Sequence, residues 1–99
     1  MRHIKQWVET LDEEIEGAKD YAEKCVECKA KGNTARANKF KEMANDKLRH
    51  SNYIHEMAVQ EIEELKKVYN APSDMQEKWD KAHKEYVEKV AWIKQMLTL

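Results

Sequence analysis

The chain has 99 residues, 41% hydrophobic and 37% charged, with two Gly and one Pro. That length gives one domain with a limited core, and that composition suits long, well-solvated helices. A formal net charge of −1 gives no overall drive toward nucleic acid or an anionic membrane, so neither is expected as a partner.

A first helix is predicted over about residues 3–31. Its opening, Met1-Arg2-His3-Ile4-Lys5-Gln6-Trp7, is amphipathic and lacks the apolar stretch of a secretory signal. Ile4, Val8, Leu11, Ile15, Ala18, Ala22 and Cys25 recur in steps of four and three, the seam of a helix bundle. Trp7, Glu14, Tyr21 and Cys28 lie seven apart and form a second stripe beside it. Trp7 is expected to cap the bundle or an oligomer contact. Two Cys without an export signal point to a reducing, cytoplasmic setting. Cys25-Val26-Glu27-Cys28 has redox or metal spacing. No second Cys pair exists, so core packing is the preferred reading, with intersubunit zinc or a disulfide as alternatives.

Gly32-Asn33 is a helix stop, and Asn33 or Thr34 is the cap of a second helix over about 34–69. At 1.5 Å per residue it is about 54 Å long. Its apolar face runs Phe40, Met43, Ala44, Leu48, Ser51, Ile54, Ala58, Ile62, Leu65 and Tyr69. Asn70-Ala71-Pro72 breaks it. Ser73 with Gln76 three residues on reads as a capping box for a third helix over about 73–97. Met75, Trp79, Ala82, Tyr86, Val90, Ile93 and Leu97 share one face of it. Trp79, Tyr86 and Trp92 are expected as core or interface anchors. Short connections make successive helices antiparallel. The expected fold is all-α: a long antiparallel hairpin plus a third helix. The second helix outruns its neighbours, so a two-fold pairing of hairpins is expected to complete a four-helix bundle in a homo-oligomer.

The charge is uneven. Lys29, Lys31, Arg36, Lys39, Lys41, Lys47 and Arg49 make one end of the hairpin basic, opposed by Glu42 and Asp46, while residues 9–27 and 56–64 are mostly acidic. Ordinary surface patterning accounts for this; a site for a small anion or an acidic partner is the functional alternative.

Glu14 and the Lys47–His50 segment lie at similar depth on the two arms of the hairpin. Glu14 and Tyr21 on one helix, with Glu-x-x-His on the other, would be a di-iron pattern. Here the second stretch reads Lys47-Leu48-Arg49-His50. Asp12-Glu13-Glu14-Ile15-Glu16-Gly17-Ala18-Lys19-Asp20-Tyr21-Ala22 and Lys41-Glu42-Met43-Ala44-Asn45-Asp46-Lys47-Leu48-Arg49-His50 resemble the two ligand helices of ferritin-like proteins. With His50…Tyr53-Ile54-His55-Glu56 and Tyr86…Lys89, nearly the whole chain resembles small phage and prophage proteins of Firmicutes, which have a ferritin-like hairpin and a third helix. Glu14, Tyr21 and His50 match the ferritin-like pattern, and Lys47 departs from it. An ammonium has no lone pair to donate and repels divalent cations. The expected reading is a closed metal site held by Glu14–Lys47 ion pairs, with no metal and no catalytic residue. The alternative is iron binding or ferroxidase activity through Glu14, Tyr21 and His50, or metal held by other acids such as Glu13, Asp46 or Glu61.

The segment from Arg49 to Glu56 groups donors, acceptors and a ring, with His55 on a different face from His50. Arg49 offers a fork to phosphate, Tyr53 a stacking surface, and Asn52 and His50 base or ribose contacts. The phage resemblance implies, by analogy with small anti-defence proteins, a non-enzymatic oligomer that sequesters a nucleotide signal such as a cyclic dinucleotide or a cyclic ADP-ribose-type molecule. Its candidate contacts are Lys47, Arg49, His50, Asn52 and Tyr53, with Arg36 and Lys39 supplying charge. A protein-binding inhibitor of a host factor, using the basic end or the third helix, is a further alternative.

Overall fold

The computed structural model describes the backbone of residues 2–68 and 73–99 and the side chains of residues 4–67 and 75–99. Three helices account for nearly all of it: α1 (Arg2–Ala30), α2 (Thr34–Val68) and α3 (Ser73–Leu97). The expected Asn70-Ala71-Pro72 break, the side chain of the Ser73 cap and Tyr69 lie outside the described residues. Gln76 donates to Asp80 at 2.8 Å, one turn on.

The α1–α2 turn follows from local chemistry. Gly32 takes φ +75°, a conformation that side-chain-bearing residues rarely adopt. Asn33 N–H then donates to Cys28 C=O at 2.9 Å and Gly32 N–H to Lys29 C=O at 3.0 Å, the paired bonds of a Schellman stop. Asn33 also starts α2, its Oδ1 accepting from Arg36 N–H at 3.1 Å. One Gly-Asn pair thus ends one helix, caps the next and turns the chain back on itself.

The α1 seam is buried at Ile4, Leu11, Ile15, Ala18, Ala22 and Cys25. Toward the turn, Ala18, Ala22 and Cys25 cluster with Ala37, Ala44 and Leu48 of α2. Toward the open end, Ile4 and Leu11 cluster with Ala58 and Ile62. Ser51, also fully buried, turns its hydroxyl back to Leu48 C=O at 2.6 Å, so no polar hydrogen is left unpaired there. The helix α3 runs parallel to α1. Met75 and Trp79 join the Ile4–Ile62 cluster, while Ile93 and Leu97 join the Ala18–Ala44 cluster. It packs chiefly on α1 and meets α2 mainly through side chains. The result is a rod of 56 × 17 × 17 Å. No described helix is long and apolar enough to cross a membrane.

Two apolar positions depart from the sequence expectation. Met43 falls on the periodic face of α2 yet is 39% exposed, because α3 covers the other side of the hairpin. Of the two readings of Trp92, core or interface anchor, the core one is overturned: it is 59% exposed and lies over the edge of the α1–α3 contact.

Ile15 is fully buried, so Ile15→Ala should destabilise by about 2–4 kcal/mol. Trp92→Ala should stay within about 1 kcal/mol. Urea unfolding followed by circular dichroism measures both.

Candidate functional site

The Schellman turn sets the register of the hairpin. Glu14 lies about 18 residues before Gly32 and His50 about 18 after it, so both sit about 27 Å from the turn. Lys47 is one helical turn from His50 on the same face. Its aliphatic stem crosses Gly17 of α1: a Cβ there would stand 3.3 Å from both Lys47 Cδ and Cε. The missing side chain lets Lys47 lie flat across the interface and reach Glu14. Nζ comes to 3.3 Å from Glu14 Oε2, and His50 Nδ1 to 3.6 Å from the same oxygen.

Oε2 of Glu14 is itself buried and accepts no well-directed hydrogen bond. Both contacts, to Lys47 and to His50, are longer than a charge-assisted hydrogen bond. The oxygen is therefore held by the nearby Lys47 charge. The pair is partly wet, with 34% of the Lys47 side chain and 22% of the Glu14 side chain exposed, so it adds at most about 1 kcal/mol.

The same stripe continues in both directions. Trp7 Nε1 donates to Glu61 across the α1–α2 contact, so Trp7 ties the two helices together near the open end of the bundle. Toward the turn, Tyr21 stacks on Phe40 with ring centroids 6.3 Å apart, and Lys24 Nζ lies 5.8 Å from each ring centre. Cys25 is buried in the core, Cys28 sits half-buried at its edge, and both are free thiols.

The structure brings Glu14, Lys47 and His50 together. The other candidate residues are distributed along α2. Arg49 points away from Lys47 and pairs with Asp46 at 3.0 Å. Asn52 lies farther round the helix and bonds Glu56 at 3.2 Å. Tyr53 is half-exposed on the Lys47–His50 side, and exposed Arg36 and Lys39 lie nearer the turn on that side. Four of the proposed anion contacts, Lys47, Arg49, His50 and Asn52, thus already have an acidic neighbour. Among the described residues no group of three His, Cys, Asp or Glu side chains is placed to hold a metal ion.

A second cluster is formed by residues that periodicity alone does not join. His55 of α2 faces α3. Its ring lies 4.8 Å from that of His83, 5.6 Å from Trp79 and 5.4 Å from Tyr86, the last stacked and nearly parallel at 11°. Burial lowers the His55 pKa from its usual 6.5, the His83 charge lowers it further, and Glu56 partly opposes both. The departure of His55 from the His50 face was legible in the five-residue spacing. Its partner His83 was not, because the rotation of α3 about its own axis leaves no mark on α2.

The chain matches no protein-family model, no curated protein and no solved structure.

A double-mutant cycle over Glu14→Gln and Lys47→Met should give a coupling of at most about 1 kcal/mol, smaller in 1 M salt. A coupling of several kcal/mol that salt leaves unchanged would mean that the pair is dry.

Proposed function

We propose that the chain is a non-enzymatic binding protein that acts as a two-fold dimer, two hairpins packing face to face to complete a four-helix bundle. The observation that supports this most directly is the hairpin face turned away from α3. Met43, Tyr53 and Met57 are 39%, 52% and 48% exposed there, beside half-buried Phe40 and Ile54. The spacing 36, 39, 43, 47, 50, 54 and 57 places Arg36, Lys39, Lys47 and His50 on the same face.

A second copy suits this face by charge. The turn end carries Lys24, Lys29, Lys31, Arg36 and Lys39, while the open end carries the acidic stretch 56–64. Packed antiparallel, the basic end of each hairpin meets the acidic end of its partner. Full overlap puts the two-fold axis near mid-hairpin. The Glu14–Lys47–His50 level, about 27 Å along an arm of about 52 Å, then lies beside the axis. Each copy contributes one set of these groups to one shared site.

We infer that this shared site takes a small phosphorylated, nucleotide-type ligand. Its phosphate would displace Glu14 as partner of Lys47, with His50 donating and Tyr53 stacking on a base, while Arg49, on the other side of α2, would add attraction only from the rim. Arg36 and Lys39, farther along the same face, add attraction without occupying the site. Asn52 lies toward the opposite side of α2 and would act only from the rim. With phage origin as part of the proposal, sequestration of a host immune signal is the proposed biological role.

Analytical ultracentrifugation should report twice the 11.8 kDa chain mass. Met43→Lys with Met57→Lys should give a monomer that keeps its helical circular dichroism. A wild-type monomer at high micromolar concentration would end the dimer reading. Calorimetry with cyclic dinucleotides and cyclic ADP-ribose-type molecules should show binding that Lys47→Met weakens about tenfold, or about 1.4 kcal/mol. Silence across that panel, with a dimer present, would end the ligand reading alone.

A further inference from the structure

We propose that His55 and His83 form a proton-sensitive latch between α2 and α3. With His55 neutral the ring cluster holds α3 against α2, and protonation of His55 beside His83 loosens that contact while the α1–α2 hairpin stays formed.

The latch rests on where the pair sits. The helix α3 is anchored to α1 by Met75, Trp79, Ile93 and Leu97, whereas it meets α2 mainly through side chains. At that thinner contact His55 touches three rings of α3 at once: Trp79, His83 and Tyr86. His83 also lies 6.3 Å from Tyr86, so the four rings form one cluster spanning the two helices. A cleft of about 240 Å³ opens beside them, lined by His55, Val59, Ile62, Trp79 and His83, with Gln76, Glu63 and Asp80 at its polar edge. Water and protons therefore reach the pair without unfolding the bundle.

Tilted imidazole rings with centroids 4.8 Å apart attract one another only while at least one is neutral. Two imidazolium ions at that distance repel, and each charged ring also loses its hydration against Trp79 and Tyr86. The groups facing His55 from α3 are His83, Tyr86 and, across the cleft, Asp80. On its own helix they are Glu56 and Glu63. Glu56 favours the charged ring, but burial and His83 outweigh it. Asp80 is already engaged as acceptor from Gln76. The hairpin core is built of Ala18, Ala22, Cys25, Ala37 and Ala44, and the imidazole at the α1–α2 contact, His50, faces the Glu14 carboxylate at 3.6 Å, where a positive charge adds attraction rather than repulsion. Acidification therefore acts on the α2–α3 contact first.

The sign follows from linkage. The folded-state pKa of His55 is lowered, so its contribution is intact above about pH 6.5 and is lost as pH falls through the lower, folded value. The latch is independent of dimerisation and of any ligand, since its residues lie on the side of α2 that faces α3.

Titration of the wild-type protein by NMR tests it directly. The His55 ring should titrate below 6.5. Backbone amides of Trp79, His83 and Tyr86 should move with that same midpoint, and those of Ala18 and Ala44 should not. Between pH 7.5 and 5.5 the melting temperature should fall by about 5 °C more in the wild type than in His55→Phe, which keeps the ring contacts and loses the proton. A His55 midpoint at or above 6.5, or an equal fall in wild type and His55→Phe, overturns the latch. So does simultaneous movement of Ala18 and Ala44, which would mean that the whole bundle opens together.

Discussion

The close approach of α1 and α2 is the constraint from which the rest of the molecule follows. Ala18, Ala22 and Cys25 on one helix face Ala37 and Ala44 on the other, and each is fully buried. Small side chains bring two helix axes toward the short end of the usual 8–10 Å range. At that distance a long side chain on the interface has no room to stand upright. Lys47 lies flat instead, over Gly17, and its ammonium emerges beside Glu14. Larger residues along this contact would separate the helices and leave Glu14 and Lys47 reaching across solvent.

The third helix breaks the symmetry of the hairpin. It covers one face through Met75, Trp79, Ile93 and Leu97 and leaves the other with Met43, Tyr53 and Met57 half-exposed. Three helices have three mutual contacts, and here they differ in character. The α1–α2 contact is made of small residues, and the α1–α3 contact of large apolar ones. The α2–α3 contact is made of aromatic and imidazole rings. Small-residue contacts tolerate little relative movement because every shift collides with backbone. A ring-lined contact with a cleft beside it can change spacing by changing side-chain rotamers. Stability and adaptability are thus assigned to different pairs of helices.

The helices, the turn and the Glu14–Lys47 pairing were all legible in the sequence, and the reason is local. A 3.6-residue period marks each buried face, Gly32-Asn33 marks the turn, and a tight turn transmits register along both arms at a fixed rise per residue. Glu14 and Lys47 meet because each is a known number of residues from one glycine. The azimuth of α3 has no such reference point, since its contacts depend on which side of the hairpin it chooses. Met43 shows the cost of that gap: its period placed it inward, and the choice of side exposed it. Trp92, which lies off the periodic face of α3, is likewise outside the core. His55 and His83 are the clearest case, because each sits in a polar stretch of its own helix and only their meeting makes them notable.

Lys47 occupies the position where a carboxylate would complete a metal-binding pattern, and the physical consequence is a change in how that level of the bundle is held. A carboxylate beside Glu14 and His50 would put like charges together and need a cation to offset them. A lysine there supplies that cation from the chain itself, on a stem long enough to remain partly in water. The desolvation cost stays small because a third of the side chain is exposed, and the gain is correspondingly small. What such a pair does well is discriminate between registers. Sliding α2 by one turn past α1 would take either Lys47 or His50 away from the buried Glu14 oxygen, and would press the Lys47 stem against Glu13 or Tyr21 instead of Gly17. The ion pair and the glycine therefore specify the same alignment by independent means, one through charge and one through shape.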